Sequence, residues 1–303
     1  MVESGRIGVV TVTFNSAGVI SDFMNTLLQQ TGADFILYIV DNASSDETVQ
    51  RISEYRDSRV VLLRSPTNLG VAEGNNIGIH AAMKNGCASV LLINNDTVFG
   101  PDLISELSQA LAQHGCAMAV PKIMYCEDPR KIWCAGGYFI LMGFSSRHFG
   151  LGQKDNGQYD RPRIVHYSPT CCMLIKREVF DQIGLMDARY FVYYDDTDFC
   201  YRAYRAGIEL FYIPSARVLH KVSSLAGSQS GFSLRYGVRN HVYYFLKHFP
   251  RWRILLLPAY QIYLLASAVI RLRSHRDFWQ AEKAFWEGIS LFYSRARGLN
   301  ARL

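Results

Sequence analysis

The sequence predicts an α/β fold: a mixed, mainly parallel sheet with helices on both faces, plus a helical C-terminal extension. Three observations carry that reading. β-branched apolar runs alternate with helically spaced apolar positions through the first half of the chain. Strands separated by single helices imply parallel pairing covered on both faces. The last stretch then changes character and becomes basic and aromatic. A chain of 303 residues, 49% hydrophobic and 19% charged, can bury a large core, which excludes a disordered or low-complexity protein. From Arg235 to the end there are 12 basic and 3 acidic residues, whereas the first 234 positions hold 20 and 23. An acidic body with a basic tail suggests two jobs. The expected division is a first domain over 1–232 and a basic, aromatic helical extension over 233–303.

The elements follow in order. Ile7 to Phe14 is the first strand. Val19, Ile20, Phe23, Met24, Leu27 and Leu28 have helical spacing, and Gly32 is a stop signal. Phe35 to Val40 is the second strand, and Ser44 with Glu47 has capping-box spacing for the next helix. Val60 to Leu63 is a short strand, a helix ends at Asn85-Gly86, and Val90 to Ile93 is a buried strand. Pro101 suits the first turn of a helix carrying Leu103, Ile104, Leu107 and Leu111. Cys116 to Val120 is one more strand. The middle, from Tyr125 to Tyr167, is rich in Gly and aromatics. Leu174 to Ile183 begins a more regular stretch, Asp196 to Ala206 is a helix stopped by Gly207, and Glu209 to Ile213 is a strand ended by Pro214.

In parallel sheets ligands bind beyond the carboxyl ends of the strands. The four segments found there are Thr13-Phe14-Asn15-Ser16, Asp41 through Asp46, Asn68-Leu69-Gly70 and Asn94-Asn95-Asp96-Thr97. One such loop is ordinary turn chemistry. Four in step along one sheet edge favour a polar ligand. No G-x-G-x-x-G follows the first strand and no G-K-[ST] occurs, which argues against a nicotinamide enzyme or a kinase.

Seven cysteines form no C-x-x-C pair, so free, mostly buried thiols in a reducing compartment are expected. The N-terminus runs into strand-like sequence without a charged-then-apolar leader, and a cytosolic-facing protein is expected.

Three constellations can carry chemistry. Asp96 directly follows a buried strand, so the sheet fixes it in space. It can either bind a hard cation together with substrate phosphates or cap a turn before Pro101. In Tyr193-Tyr194-Asp195-Asp196-Thr197-Asp198, three carboxylates within four positions repel one another and need a cation, a helix N-terminus or a raised pKa. Asp198 and Arg202 stand at i,i+4 and are expected to pair on the helix surface, leaving Asp195 and Asp196 for other work. The alternative is acidic capping alone. His220 taken by itself reads as a structural histidine.

Taken in order, Thr11-Val12-Thr13-Phe14-Asn15, Val40-Asp41-Asn42-Ala43-Ser44-Ser45-Asp46, Asn68-Leu69-Gly70-Val71-Ala72-Glu73-Gly74-Asn75-Asn76-Ile77-Gly78, Ile93-Asn94-Asn95-Asp96-Thr97 and Tyr194-Asp195-Asp196-Thr197-Asp198 resemble family 2 glycosyltransferases of the Rossmann-like GT-A fold. The resemblance covers about residues 6 to 225 and is closest to the bacterial rhamnosyltransferase-like branch that builds cell-surface polysaccharides. It implies that Asp41 contacts the nucleotide base, with Thr11 and Asn15 lining the same pocket. Asn68, Gly70, Gly74 and Asn75 match the loop beside the nucleoside. Asn94, Asn95 and Asp96 stand where the family carries its D-x-D motif, so Asp96 is the carboxylate left to bind a divalent metal (Mg²⁺ or Mn²⁺). Asn94 in place of the first acid lowers the ligand charge. Asp195 and Asp196 stand at the family's acidic pair, with Asp196 on the general base. His220 falls where several relatives supply a further metal ligand, which reverses the structural reading of that residue.

The chemistry so implied is inverting transfer of a sugar from a nucleotide sugar, with dTDP-rhamnose first and a UDP-sugar second, to a glycan or polyprenyl-linked glycan. The 125–167 segment is expected to shape the acceptor side. Two rivals are a sugar nucleotidylyltransferase and a silent glycan-binding scaffold. The first lacks its Gly-rich basic loop after strand one, and retention of Asp96 and Asp196 argues against the second. In the tail, Ile254 to Ile270 holds seventeen residues without a charge, flanked by Arg251, Arg253, Arg271 and Arg273. It reads either as a packed helical hairpin or as a helix in the membrane interface. Peripheral association at the inner face of the cell membrane is favoured over a true span, and over nucleic-acid binding.

Overall fold

The computed structural model describes residues 5–140, 145–222, 231–250, 252, 255, 257–259, 261–262 and 275–300, the side chains of 275–277 and 295–300 excepted. The chain divides into two compact units, one of residues 1–191 and 195–224, the other of residues 192–194 and 225–303.

The first unit is built on one mixed sheet in the order β10-β12-β6-β11-β4-β1-β2-β3, with β5 paired to β12 and β7 to β6. Here β1 is Ile7–Thr13, β2 Phe35–Asp41, β3 Val60–Arg64, β4 Ser89–Ile93, β5 Thr97–Phe99 and β6 Met118–Tyr125. The others are β7 Ile132–Cys134, β8 Gly137–Ile140, β9 Ser145–His148, β10 Arg163–Val165, β11 Cys172–Lys176 and β12 Leu210–His220. Strands β3, β2, β1 and β4 run parallel, as do β6 and β12. Antiparallel β11 fills the gap between β4 and β6.

The side-chain period of two divides the core between the sheet faces. Ile7, Val9, Leu91 and Ile93 point to the face covered by α1 (Ile20–Leu28), α2 (Thr48–Ser53) and α4 (Leu103–His114). Val10, Val90 and Leu92 point to the face covered by α3 (Gly70–Lys84), α5 (Arg177–Ile183) and α6 (Asp195–Arg205). Each fully buried Ile, Leu or Phe stabilises this arrangement by about 1.5–3 kcal/mol.

Several local expectations change. Glu47 is the N-cap residue of α2 but makes no side-chain cap; Asp46 accepts from Thr48 N at 3.0 Å instead. Ser44 bonds Asp41, so the Ser44–Glu47 capping box does not form. Pro101 precedes α4 rather than opening it. Ile104 N is capped by the buried Gln30 Oε1 at 3.0 Å, a long-range bond with no local sequence signal. β12 runs through Pro214 to His220, because the pairing with β6 shifts between Ile213 and Arg217 and the missing N–H falls in that irregularity. Asp198 and Arg202 do pair, at 2.9 Å, but Asp198 is fully buried and also accepts from Tyr190 Oη at 3.1 Å. That pair ties α6 to the α5 end, where Arg202 donates to the carbonyls of Ile183 and Leu185. All seven cysteines are free and six of them are buried.

Helix α3 lies unusually close to β1. A Cβ on Gly78 would stand 2.3 Å from Val10 Cγ1, and one on Gly74 would stand 2.8 Å from both Val12 methyls. Small residues at this spacing let helix backbone rest on the strand. Lys122, fully buried in β6, is neutralised by Asp155 at 3.0 Å and by Asp160, which fastens the 154–160 loop over the sheet.

In the second unit α7 (Gly231–His248) packs on α8 (His275–Asn300). Arg235 forks onto Glu287 at 2.9 and 3.1 Å, and Gln280 Nε2 donates to Gly231 O at 2.8 Å. Buried Asn240 Nδ2 donates to Val192 O and Tyr193 O at 2.7 and 2.9 Å. The 254–270 segment lies for the most part outside the described residues. Among the described residues no helix is long and apolar enough to cross a membrane.

Gly78→Val should lower stability by about 1–3 kcal/mol through overpacking against Val10. Gly18→Ala, where an added Cβ meets nothing within 4 Å, should leave the melting temperature nearly unchanged. Thermal unfolding of both variants by circular dichroism reads the difference.

Candidate functional site

The carboxyl ends of β1, β2 and β4 converge on one edge of the sheet. The loops there satisfy one another. Asp41 ends β2, is buried, and accepts from Thr13 Oγ1 at 3.0 Å, from Ser44 N at 3.1 Å and from Ser44 Oγ. Asn15, at φ 50°, accepts from Ser45 N at 2.8 Å, and its own N–H donates to Ser44 Oγ at 2.9 Å. Asn95 Nδ2 donates to Val12 O and to Ser16 Oγ, the second at 3.2 Å. Asp41, Asn15 and Asn95 therefore belong to one interlocked polar rim.

The other expected donor-side residues are distributed differently. Thr11 is fully buried in β1, and its hydroxyl has no hydrogen-bond partner among the described residues. Asn68 Oδ1 accepts from Gly70 N at 2.9 Å. Gly70, at φ 82°, has no room for a side chain because Phe191 O would lie 2.4 Å from its Cβ. Gly74 meets β1, and buried Asn75 donates to Met186 Sδ at 3.4 Å. These three shape the packing of α3 in this structure. Asn94 N donates to Cys171 O at 2.9 Å, and Asn94 O accepts from Thr97 Oγ1 at 2.7 Å, so Asn94 holds the turn into β5.

That turn delivers Asp96 to His220. β5 pairs antiparallel with the end of β12, with Thr97 opposite His220, and Lys221 N donates to Asp96 O at 2.9 Å. The result is His220 Nε2 at 3.2 Å from Asp96 Oδ1. Burial works against a charged imidazole here, but Cys171 and the Asp96 carboxylate outweigh it and push His220 up to about 11. Burial raises the Cys171 thiol itself.

The pair suits a divalent cation. A cation that displaces the imidazole proton would meet one carboxylate oxygen and one ring nitrogen there, and His220 Nδ1 is buried without a hydrogen-bond partner. No cluster of three or more His, Cys, Asp or Glu that could hold a metal occurs among the described residues. An ion there would complete its shell with phosphate oxygens or water.

Asp195 and Asp196 open α6, where the helix dipole favours negative charge. Their surroundings differ. Asp196 accepts from Tyr167 Oη at 3.0 Å, Thr197 N at 2.6 Å and Thr197 Oγ1 at 3.1 Å. Asp195 is buried; burial and the neighbouring Asp196 charge push its carboxyl up to about 8. Burial raises Asp196 too, against the opposing pull of Tyr167 and Thr197. Both carboxyls are thus raised by burial, and Asp196 has side-chain hydrogen bonds, from Tyr167 and Thr197, that favour its charged form.

A layer of aromatic rings joins the two carboxylate sites. His220 meets Trp133 edge-on at 4.6 Å, Trp133 meets His148 at 5.1 Å, and His148 lies 5.6 Å from Tyr167, which bonds Asp196. His148 Nδ1 is 3.1 Å from Trp133 O. A carbonyl only accepts, so the proton is assigned to Nδ1, and burial lowers the ring's pKa and keeps it neutral. Trp133, His148 and Tyr167 sit in the Gly- and aromatic-rich middle, where no motif or periodicity singled them out. A separate cavity of about 200 Å³, lined in part by Ile164, His166 and Tyr204, includes none of these carboxylates.

Comparison with known proteins gives the family. The chain is 27% identical over 240 residues, 77% of its own length and 71% of the relative's, to the low-salt glycan biosynthesis hexosyltransferase Agl10 of Haloferax volcanii. It is 26% identical over 264 residues, 81% of its length and 86% of the relative's, to an N-acetylglucosaminyl-diphospho-decaprenol L-rhamnosyltransferase of Mycobacterium tuberculosis. The structure of GalNAc-T7 with UDP, GalNAc and Mn²⁺ superposes with a TM-score of 0.64 at 15% identity, over 81% of this chain and about half (48%) of that one. The fold is thus of the GT-A type, a mixed, mainly parallel sheet covered by helices. The glycosyl transferase family 2 model matches residues 8–184, and with that match, over more than half the chain and across the polar rim just described, the chain belongs to glycosyl transferase family 2.

Proposed function

We propose that this glycosyltransferase inverts the anomeric centre of a nucleotide sugar, dTDP-rhamnose first, and passes the sugar to a lipid-linked glycan. The observation that supports the reading is the layer of rings with Asp196 bonded to Tyr167 at one end and Asp96 beside His220 at the other. The rhamnosyl donor and polyprenyl-linked acceptor are supported by the Mycobacterium tuberculosis relative, whose name states both the sugar it moves and its decaprenol-linked acceptor.

The acceptor hydroxyl is a weak nucleophile and needs a base as it attacks. Asp196 is that base. Tyr167 and Thr197 hold its two oxygens in place and stabilise the charged form until the hydroxyl proton arrives. Asp195, protonated, adds no competing charge. Attack from the Asp196 side, opposite the departing diphosphate, inverts the sugar, and no carboxylate need bond to it. Asp41, Asn15 and Asn95 hold the nucleoside on the polar rim. Asp96 and His220 would hold a divalent cation, which would neutralise charge on the leaving diphosphate. A UDP-sugar donor is the alternative within the same reading.

Asp196→Asn should cut kcat by about 10²–10⁴, the usual worth of a positioned base, with donor Kd by calorimetry unchanged within about twofold. Wild-type turnover by that variant would end the assignment. Tyr167→Phe removes a bond that favours ionised Asp196, so the acidic limb of the kcat–pH profile should move to higher pH; a purely structural role for Tyr167 would leave the limb in place.

The raised Asp195 carboxyl also predicts a stability effect. The native state keeps a proton that the unfolded chain loses near pH 4, so stability should fall as pH rises from about 4 toward 8. Asp195→Asn should flatten that fall in Tm measured across the same range. Asp96→Ala and His220→Ala should each abolish any extra thermal stabilisation that Mn²⁺ adds to dTDP. Nucleotide-induced stabilisation measured with dTDP, UDP and GDP ranks the donors.

A further inference from the structure

The exposed side chains of α8 form a single row. Trp279, Trp286 and Tyr293 are 58%, 55% and 51% exposed and recur every two turns, and Lys283 between them is exposed as well. At 3.6 residues per turn, Trp279, Lys283, Trp286 and Tyr293 fall within an arc of about 80°, and neither Glu282 nor Glu287 falls inside it. The other side of the helix is already occupied. Ala281, Ala284 and Phe285 are buried, and Gly288 has Arg239 O 2.5 Å from the place of its missing Cβ. The acids at the edges of the row are engaged. Glu287 pairs with Arg235 at 2.9 Å, and Glu282 accepts from Gln261 at 2.7 Å and from Trp286 Nε1 at 2.9 Å.

A row of two Trp and a Tyr with a Lys among them has one solvent in which both halves are satisfied. The rings are amphipathic and favour the zone between water and hydrocarbon, while the cation meets phosphate there. We propose that this row is a docking face for an anionic lipid bilayer, with α8 lying in the plane of the headgroups and Trp279, Trp286 and Tyr293 inserted among them. Charge decides the occupant. A second copy of this chain seated on the same face by two-fold symmetry would bring like cations together, whereas anionic headgroups complement them. The inference does not depend on the sugar-transfer reading, since it concerns only this helix.

The test is flotation of the full chain with phosphatidylcholine vesicles and with vesicles in which about one third of the lipid is phosphatidylglycerol. The chain should float with the anionic vesicles only, and its tryptophan emission should move to shorter wavelength on binding. Trp279→Ser with Trp286→Ser should weaken binding at least about tenfold, the loss expected for removing two inserted rings. Lys283→Glu, which leaves the packed side untouched, should weaken it and raise its sensitivity to salt. Circular dichroism checks that both variants are folded, and hydrolysis of the sugar nucleotide, read separately, should be unaltered. Failure of the wild type to float, equal flotation of wild type and both variants, or a dimer that the double variant converts to monomer without any vesicle binding would overturn the proposal.

Discussion

The short antiparallel pairing of β5 with the end of β12 is the constraint on which the site depends. It places Thr97 opposite His220 and so brings Asp96 to the imidazole across more than a hundred residues of chain. The irregularity around Pro214 is what lets β12 reach that far, because it absorbs the missing N–H and resumes pairing with β6 at Arg217. From His220 the aromatic layer of Trp133, His148 and Tyr167 extends to Asp196. A contiguous layer of packed rings thus lies between the two acidic positions.

Much of this was legible in the sequence, and the reasons are physical. Continuous apolar runs in β1 and β4 and helical spacing in α1 and α4 are local signals, so those elements fell where the pattern put them. The polar residues after the parallel strands marked a candidate site, because a parallel sheet leaves its strand ends open. The rest depends on partners distant in sequence. Gln30 caps α4, Lys122 is neutralised from the 154–160 loop, and Tyr167 reaches Asp196; a reading of local windows contains none of these pairs. Asp198 shows the same limit from the other side. Its i,i+4 spacing to Arg202 correctly announced a pair, but only the packing of Tyr190 and the α5 end determines that the pair is buried.

Backbone strain collects where the chemistry is. Phe191, Tyr193 and Tyr194 all adopt positive φ, at 65°, 63° and 65°, immediately before the two acids of α6. Non-glycine residues in that region cost on the order of 1–3 kcal/mol each and persist only where their surroundings hold them. Within the second unit Asn240 does so, donating to the carbonyls of Val192 and Tyr193, and Tyr194 stacks on His241 at 5.2 Å. The glycine at position 70, by contrast, is at φ 82° without strain and leaves Phe191 the space it fills.

The thiols have a practical consequence. Six of the seven are sealed in the interior, and only Cys126 is partly open to water. Its N–H donates to His220 O at 3.0 Å, one residue past the end of β6. A maleimide dye would therefore mark a single position on the folded chain, beside the backbone of the histidine that faces Asp96, and its emission would report changes around that imidazole.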